Sequence, residues 1–343
     1  MTTHSEEETA TVRAHLPSIA EIESAKESVY TIMPPTPQYC WPLLCERLGT
    51  EVWVKHENQT PTGAFKARTA VVYVEELMKR EPATRGLIAA TRGNHGQSVA
   101  LAAKRFGLPA TILVPHGNSR EKNAAMRAQG AMLVEFGDDY QSAREKAMAM
   151  AEKQGLHMVQ PYHYDIVRGV ATYWFELFTS VKDIDVAYVP IGMGSGICAA
   201  IAVRNGLGLK AKLVGVVSAL APTYALSFEQ GKVVEAPATT KAADGLGCRR
   251  ADEEALAILR ENVDHIIRVN DEEVEESMRH MFSDTHNVVE GAGAAGLAGA
   301  LKEKEQLRGK RVALVASGAN VDREVFARVL QGSAAETAIS ARS

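Results

Sequence analysis

One lysine, Lys66, stands between small residues and an aromatic ring in the run 57–68, which reads E-N-Q-T-P-T-G-A-F-K-A-R. The run overlaps the end of a strand-like segment, residues 51–57, so Lys66 is predicted where a strand gives way to a helix. Open α/β sheets bind their ligands at that edge. A lysine buried there loses part of its charge, and its free amine can form a Schiff base with a carbonyl compound. A solvated lysine in the first turn of a helix would show the same local pattern.

A second polar stretch, T-R-G-N-H-G-Q at residues 91–97, follows a predicted strand at 86–90 and precedes a helix. Backbone N–H groups at that helix start, together with Thr91 and Asn94, would bind a carboxylate. A helix cap with a left-handed glycine uses the same residue types. The residues alone leave both interpretations open.

A third stretch, G-M-G-S-G at residues 192–196, lies between the end of a predicted strand and a helix that begins at Ile197. Glycines let the backbone approach a phosphate closely, and the helix start adds partial positive charge. The stretch has neither the G-K-[ST] of a Walker A loop nor the spacing of G-x-G-x-x-G. An anion site is favoured over a glycine-rich turn without a ligand.

The stretch S-G-A-N at residues 317–320 ends another predicted strand. A simple turn is the alternative, but the position places Ser317 at the same sheet edge as the other loops.

Short apolar runs alternate with helical patterns along most of the chain, which is typical of parallel sheets. A first helix is predicted from Ser18 to about residue 30. Strands are predicted at residues 86–90, 110–115, 131–136, 156–160, 185–189, 212–217, 265–269 and 311–316. Helices are predicted at residues 95–106, 119–128, 139–154, 197–205, 222–230, 253–261, 271–282 and 294–304. Two runs of such units predict an α/β fold with two open sheets and a cleft between them.

The composition sets limits on the class of protein. The 343 residues suffice for two domains, and 46% hydrophobic with 23% charged residues is ordinary for a globular chain. A net charge of −4 without a basic stripe argues against nucleic acid, and no apolar run is long enough for a membrane span. The start of the sequence lacks a secretory signal, which leaves the cytoplasm as the expected compartment. The four cysteines include no C-x-x-C pair and are expected to be small core residues, while residues 1–17 and 332–343 are predicted to be flexible tails.

An amine nucleophile, a carboxylate-binding loop and a phosphate-binding loop together are what pyridoxal phosphate requires. The chain resembles the fold-type II pyridoxal-phosphate enzymes, in particular the serine/threonine dehydratase family, which also contains serine racemase. The resemblance runs from about residue 19 to about residue 330 and is carried by six ordered motifs: T-G-A-F-K at 62–66, G-N-H-G-Q at 93–97, V-P-I-G-M-G-S-G at 189–196, A-D-G-L at 243–246, E-G-A-G-A at 290–294 and S-G-A-N at 317–320.

The resemblance implies a fold similar to that of the tryptophan synthase β subunit, with two open twisted sheets flanked by helices and the cofactor in the cleft between the domains. A small α/β domain at residues 85–163 would be inserted into a large cofactor-binding domain formed by residues 1–84 and 164–343. A homodimer is also expected.

The resemblance also implies roles for individual residues. Lys66 would hold the cofactor covalently and act as the base on the substrate Cα, with Phe65 beside the ring, Asn94 at its phenolic oxygen and the neutral hydroxyl of Ser317 at its nitrogen. The remaining cofactor contacts would come from Gly192, Met193, Gly194, Ser195, Gly196, Gly245 and Glu290. The substrate carboxylate would be bound by Thr91, Arg92, Gly93, Asn94 and His95.

The implied reaction is the β-elimination of water from a β-hydroxy-α-amino acid, which yields a 2-oxo acid and ammonia. Candidate substrates are threonine, serine, and bulkier or acidic analogues such as phenylserine and hydroxyaspartate.

The chain departs from the family pattern at Ala64 and Thr69, where serine and glycine are usual, and above all at Arg92. Serine racemase has a proton-transferring serine in the place of Arg92, and dehydratases have small residues. An arginine stays protonated and transfers protons poorly, which argues against racemisation. It could pair with an acidic substituent, stack on an aromatic one, or form a surface ion pair.

Other interpretations are weaker on particular residues. The cation site of racemase-like members needs two carboxylates where this chain has Val217 and Thr223, so no metal is expected. A β-replacement transferase similar to cysteine synthase is disfavoured by His95, since those relatives usually have threonine there, and a racemase is disfavoured by Arg92. A non-catalytic cofactor-binding protein would not need both the lysine and the carboxylate loop.

Overall fold

Two sheets organise residues 15–332, which are the residues that the structure, a computed structural model, describes. The described strands are β1 (Gln38–Cys40), β2 (Glu51–Lys55), β3 (Leu87–Ala90), β4 (Ala110–Val114), β5 (Met132–Glu135), β6 (His157–Met158), β7 (Val186–Pro190), β8 (Lys212–Ser218), β9 (His265–Val269) and β10 (Arg311–Val315). The larger sheet has the order β1-β2-β10-β7-β8-β9 and the smaller one the order β5-β4-β3-β6. Only the pairing of the edge strand β1 with β2 is antiparallel among the described pairs.

Helices cover both sheets. They are α1 (Ile19–Tyr30), α2 (Pro42–Leu48), α3 (Lys66–Arg80), α4 (Asn94–Arg105), α5 (Arg120–Ala128), α6 (Tyr140–Gln154), α7 (Tyr164–Ser180), α8 (Ser195–Gly206), α9 (Thr223–Gln230), α10 (Glu253–Asn262), α11 (Asp271–Thr285), α12 (Gly291–Lys302) and α13 (Arg323–Gln331).

Strand β3 shows why the strands read as continuous apolar runs. All four of its residues are buried. Leu87 and Ala89 pack in the cluster that contains Val99 of α4, whereas Ile88 and Ala90 pack in the cluster that contains Ala143 of α6. Because helices lie on both faces of a parallel sheet, alternate residues of one strand are apolar on both sides. The predicted α/β fold with two sheets is therefore confirmed.

The first helix begins where the sequence predicted it. The Ser18 hydroxyl accepts a hydrogen bond from the Glu21 N–H at 3.3 Å, and the Glu21 carboxylate accepts one from the Ser18 N–H at 2.9 Å. This reciprocal cap satisfies two backbone donors that the first turn leaves unpaired. Immediately before it, Leu16 packs against the main core and Pro17 is buried, so residues 16 and 17 do not belong to a tail as predicted. Residues 1–14 and 333–343 of the predicted tails lie outside the described part of the chain.

Helix α7, which is 17 residues long, was not predicted from the sequence. Helices α1, α3 and α8 all pack on it, and most of its residues are buried, including polar ones such as Arg168 and Glu176. A Cβ atom on Gly169 would lie 2.5 Å from the backbone oxygen of Arg68. The backbones of α3 and α7 therefore approach each other so closely at this point that only glycine fits. Strand β1 and helices α2 and α13 were also missed, and the strand predicted at 156–160 is reduced to the two residues of β6.

The smaller sheet is local in sequence. Its four strands all lie between Leu87 and Met158, inside the predicted insertion at 85–163. The exact domain bounds stay a prediction. Within residues 15–332, no helix combines the length and the apolar character that crossing a membrane requires.

Candidate active site

Segments that the sequence placed at different strand ends meet at one point. The Asn320 amide donates hydrogen bonds to Oδ1 of Asn94 and to the backbone oxygen of Thr62, both at 2.8 Å. The Phe65 N–H donates to the backbone oxygen of Ser317 at 2.9 Å. The loop before Lys66, the loop after β3 and the loop after β10 are therefore in direct contact with one another.

Lys66 is the first residue of α3, and its Nζ lies 5.0 Å from the centroid of the Phe65 ring. No ion pair or hydrogen bond holds this amine within residues 15–332. Burial lowers the pKa of Lys66 to about 8. Near neutral pH a sizeable fraction of the amine is thus unprotonated and nucleophilic.

A buried ionic cluster fixes the start of α3. The guanidinium of Arg68 donates to the carboxylate of Glu57 at 2.8 and 2.9 Å and to that of Glu176 on α7 at 2.6 and 3.0 Å. Lys55 donates to the same Glu176 carboxylate at 2.6 Å and to the Thr36 backbone oxygen at 2.6 Å. Two positive and two negative charges balance each other, and they tie the segment before Lys66 to β2 and α7.

Residues 192–196 form the loop that leads into helix α8, and this loop is called the phosphate loop. Gly194 has φ +97°, and a Cβ atom there would lie 2.7 Å from Ala255 Cβ and 2.8 Å from the Tyr224 hydroxyl. A Cβ atom on Gly192 would lie 2.5 Å from the Gly245 backbone oxygen. The loop thus requires bare backbone at both glycines. Helix α8 begins at Ser195 without a side-chain cap, so its first N–H groups and its dipole remain available to an anion.

Tyr224 supports this loop from behind, because its hydroxyl donates to the Met193 backbone oxygen at 2.9 Å. The same hydroxyl accepts from the Asp252 N–H at 3.1 Å. Neither Tyr224 nor Asp252 was singled out from the sequence, and only the fold brings them to the loop.

The loop after β3 presents the start of α4. The Thr91 hydroxyl oxygen accepts hydrogen bonds from the N–H groups of Gly93 at 3.0 Å and Gly96 at 3.4 Å. Helix α4 begins at Asn94 and has no side-chain cap. The N–H groups of Asn94 and His95 therefore have no acceptor inside the helix, which is the arrangement that a carboxylate needs.

The ring of His95 points away from that helix start. Its Nε2 lies 3.3 Å from the Val159 backbone oxygen, which can only accept, so Nε2 carries the proton. Burial, together with the charge of Lys66, lowers the pKa of His95 to about 4. The ring is therefore neutral, and His95 can offer a carboxylate its backbone N–H.

Asn94 connects the carboxylate loop to Glu290. Its Nδ2 donates to Glu290 Oε1 at 2.7 Å. Glu290 is only 4% exposed, and its Oε2 has no partner within the described residues. Burial raises the pKa of Glu290 to about 7, against the opposing effect of Lys122.

Ser317 and Gly245 lie at the same site. Ser317 follows β10, and its hydroxyl forms no hydrogen bond within the described residues. Gly245 belongs to a short 3-10 helix, Asp244–Leu246, and its backbone oxygen faces Gly192.

Arg92 is exposed at the mouth of the site, and no ion pair or hydrogen bond with the described residues holds its guanidinium. Asp139 lies near Arg92. The pKa of Asp139 is lowered mainly by hydrogen bonds from Ser142, and the positive charges of Arg249 and Arg92 lower it further. Arg249 Nη1 is 4.0 Å from the Asp139 carboxylate. The Asp139 carboxylate therefore lies within the electrostatic range of both guanidiniums.

Three further residues of the site had no predicted role: Lys122, Asp244 and Asn320. Lys122 Nζ lies 2.7 Å from Asp244 Oδ2, and Asn320 bridges Asn94 and Thr62. Asp244 and Asn320 stand inside motifs quoted for the resemblance, which was a usable signal. Lys122 sits in a polar helix without any motif, and nothing in the sequence distinguishes it.

Val217 and Thr223 do not form a cation site. Val217 is 1% exposed in β8, and the Thr223 hydroxyl donates to the Cys248 backbone oxygen at 2.8 Å. Among residues 15–332 no group of three or more His, Cys, Asp or Glu side chains is placed to hold a metal ion.

The residues at the site fit pyridoxal phosphate. The cofactor needs an amine for its aldehyde, donors for its phosphate and polar partners around its ring. The amine of Lys66, the bare N–H groups at the start of α8, and the free hydroxyl of Ser317 meet these needs. The unpaired Glu290 Oε2 is a further polar atom that is left without a partner at the site.

Comparisons with known proteins agree with this site. The family model described as pyridoxal-phosphate dependent enzyme matches residues 30–318. L-threo-3-hydroxyaspartate ammonia-lyase of Saccharomyces cerevisiae is 32% identical over 318 residues, which cover 92% of this chain and 97% of that protein. L-threonine ammonia-lyase of Thermotoga maritima is 31% identical over 315 residues, which cover 91% of this chain and 78% of that protein. Maize serine racemase superimposes with a TM-score of 0.85 at 25% identity, covering 94% of this chain and 99% of the racemase. The chain thus belongs to the family of pyridoxal-phosphate-dependent enzymes of fold type II and uses this cofactor.

Proposed function

We propose that this protein is an ammonia-lyase that eliminates water from a β-hydroxy-α-amino acid and releases a 2-oxo acid and ammonia. The observation that carries the proposal is the position of Lys66. An unpaired amine whose pKa is lowered to about 8 lies next to a helix start suited to a carboxylate and in the same cleft as a helix start suited to a phosphate. The names of the yeast and Thermotoga relatives support the same reaction type.

The cofactor would be held by residues from both sheets. The N–H groups of the loop from Gly192 to Gly196, including Met193 and Ser195, would bind its phosphate, and Gly245 would shape that loop. Phe65 would pack beside the ring. Asn94, supported by Glu290, would donate to the phenolic oxygen, and Ser317 would face the ring nitrogen.

When bound, pyridoxal phosphate withdraws electrons from the substrate Cα and makes its proton acidic. Lys66 Nζ is the base that takes this proton, because it is the unpaired amine at the site. The N–H groups of Asn94 and His95, with the Thr91 hydroxyl and the adjacent Gly93 backbone, hold the substrate carboxylate and so orient the Cα–H bond toward Lys66. A neutral hydroxyl at Ser317 would limit the electron withdrawal, which favours prompt loss of the β-hydroxyl. That group would leave as water with the proton that Lys66 accepted, and the released enamine would be hydrolysed by water to the 2-oxo acid and ammonia.

Racemisation requires a second proton-transferring group on the face of Cα opposite Lys66. Arg92 occupies the loop position where such a group would be expected, and a guanidinium transfers protons poorly. The resemblance to serine racemase in fold therefore does not extend to that step.

We further propose that the preferred substrate carries an acidic group on Cβ, as in hydroxyaspartate. The Arg92 guanidinium is exposed and has no ion pair or hydrogen bond with the described residues, and Arg249 places a second guanidinium near Asp139. A second substrate carboxylate would supply the missing negative charge and could bind Arg92 bidentately. The activity named for the yeast relative supports this choice.

The test is a substrate panel. The purified enzyme with pyridoxal phosphate is offered threonine, serine, phenylserine and both diastereomers of hydroxyaspartate, and the 2-oxo acid and ammonia are quantified. Equal amounts of both products from at least one member are expected. Absence of product from every member would refute the lyase proposal.

We also propose that the protein is a cytoplasmic homodimer with the small domain at residues 85–163. Four free cysteines fit a reducing compartment. The edge strand β1 and helix α2 expose Tyr39 and Leu43, at 50% and 51%, and a second copy would cover them. Light scattering of the holoenzyme tests the dimer. The wild type is expected to be dimeric and Leu43→Asp monomeric, whereas a monomeric wild type would contradict the proposal.

A further inference from the structure

The first turn of α5 spans the cleft between the two sheets. Lys122 on this helix forms an ion pair with Asp244, with 2.7 Å between Nζ and Oδ2. Next to it, the Ser119 hydroxyl hydrogen-bonds to the Asp322 carboxylate, and the Glu121 carboxylate accepts from the Arg323 N–H at 3.2 Å. Residues from the smaller sheet's side thus contact residues on the larger sheet's side at several points.

Lys122 is the buried member of this group. The residue is 8% exposed. Burial alone would lower the pKa of Lys122, but the nearby carboxylates of Asp244 and Glu290 raise it by more, so the amine stays charged. A lysine that is buried without such partners has a lowered pKa, as Lys66 does. The ion pair with Asp244 therefore keeps Lys122 charged although it is buried.

The aliphatic part of the Lys122 side chain lies against the loop at residues 91–94, which is suited to the substrate carboxylate. A Cβ atom on Gly93 would be 2.6 Å from Lys122 Cδ, so the side chain lies against the turn that precedes Asn94. If Lys122 moved, the turn would lose the surface on which it packs. The turn and Asn94 would then be held by hydrogen bonds only, from the backbone N–H groups of the turn to Thr91 and between the Asn94 side chain and Glu290 and Asn320.

The partner of Lys122 reaches the phosphate loop. Asp244 begins the 3-10 helix that contains Gly245, and the Gly245 backbone oxygen contacts Gly192. One ion pair therefore connects the loop suited to the substrate carboxylate with the loop suited to the phosphate.

We propose that Lys122 is a positioning residue. Through its ion pair with Asp244, it holds the Gly93–Asn94 turn and the phosphate loop in fixed positions relative to each other across the cleft. The site is that of the proposed lyase function, but the binding and spectroscopic measurements that follow do not depend on that activity. The side chain of Lys122 acts through its neighbours and is assigned no contact with the substrate.

Four variants test the proposal: Lys122→Met, Asp244→Asn, the double variant that combines them, and Lys104→Met. Lys104 is an exposed lysine on α4 and serves as the matched control. Circular dichroism and thermal melting first establish that each variant is folded. The affinity of each cofactor-free variant for pyridoxal phosphate is then measured by absorbance titration.

Both single variants are expected to bind pyridoxal phosphate at least about tenfold more weakly than the wild type, and Lys104→Met is expected to bind it equally well. The double variant should be no weaker than either single one, because each substitution already breaks the same ion pair. The ratio of the two absorbance bands of the bound cofactor should also change in all three variants, since Asn94 is expected to donate to its phenolic oxygen. A general loss of packing would not produce this spectral change in all three alike.

The charge-reversed pair Lys122→Asp with Asp244→Lys should recover part of the lost affinity. Unchanged affinity and spectra in Lys122→Met, or additive losses in the double variant, would overturn the proposal. If the wild type has no lyase activity but the variants behave as expected, only the proposed reaction fails and the role of Lys122 stands.

Discussion

Asn94 and Glu290, which lie 196 residues apart in the sequence, are joined directly at the site, with 2.7 Å between Nδ2 and Oε1. A carboxyl that is buried this deeply is held by a neutral amide rather than by a cation. Its protonation is therefore coupled to the folded state.

The first prediction concerns the pH dependence of stability. The pKa of Glu290 is about 7 in the folded protein against 4.5 as its ordinary value, so the folded protein binds this proton more tightly than the unfolded chain does. The stability that Glu290 contributes is fully present below about pH 4.5 and is lost as the pH rises through 7. The free energy of unfolding of the wild type, minus that of Glu290→Gln, should therefore fall by up to about 3 kcal/mol between pH 5 and pH 8. Urea denaturation of the cofactor-free protein measures it, with the exposed Glu23→Gln as control, and a difference that is flat across the range would contradict the prediction.

The second prediction concerns Lys66. Replacing it with alanine should lower kcat at least about a thousandfold, because the variant lacks the base that accepts the Cα proton. The absorbance of the lysine-bound cofactor should also disappear. Lys79→Ala is the matched control, since Lys79 lies on the same helix α3 with its side chain 60% exposed. A Lys66→Ala variant that retained that absorbance would identify another lysine as the cofactor's partner.

The third prediction concerns Arg92. Arg92→Ala should lower kcat/KM for hydroxyaspartate at least about tenfold, which corresponds to one lost charge-assisted contact, while the value for threonine stays within about threefold. Arg105→Ala, an exposed arginine at the far end of α4, is the control. An identical ranking of substrates before and after the change would leave Arg92 without a role in specificity.

The fourth prediction concerns the ionic cluster beneath Lys66. Arg68→Met leaves Glu57 and Glu176 buried without their main cation and should lower the free energy of unfolding by about 3–5 kcal/mol. The ion pair of the exposed Lys79 with the half-buried Glu76 offers the comparison, and Lys79→Met should cost less than about 1 kcal/mol. Urea denaturation of both variants decides the matter, and equal losses would mean that the cluster is not the anchor of α3.

The fifth prediction concerns the phosphate loop. Gly194→Ala places a Cβ atom against Ala255 and the Tyr224 hydroxyl and should weaken the binding of pyridoxal phosphate at least about tenfold. Gly208→Ala has the same left-handed backbone strain, with φ +65°, but meets no atom within 4 Å, so it should leave the affinity unchanged. Absorbance titration distinguishes the two outcomes, and equal affinities would show that the loop tolerates a side chain.

Local pattern was sufficient to predict the loops at 91–97, 192–196 and 317–320, because strand, turn and helix start each leave a signature in adjacent residues. Buried neighbours leave none. Helix α7 packs on α1, α3 and α8, and it buries polar residues such as Glu176, whose partner Arg68 is 108 residues away in the sequence. The sequence could not predict it for that reason.

The same distinction explains which site residues were found. Lys66 and Asn94 stand in motifs, whereas Lys122 gains its place only because α5 lies across the cleft from Asp244. The neighbour of Arg68, Glu176, is 108 residues away in the sequence and joins it only through the packing of α3 on α7. Contacts of this kind depend on the relative position of two elements, which no local pattern contains.

The order of the strands has a consequence for synthesis on the ribosome. The smaller sheet can assemble as soon as β6 has emerged, since all its strands are contiguous in the chain. Strand β2, in contrast, has β10 as its parallel neighbour, and the segment before Lys66 hydrogen-bonds to Ser317 and Asn320. We therefore expect the nascent chain to be unable to capture its cofactor until nearly the last residues of the described chain are made, which makes cofactor binding a late event in biogenesis.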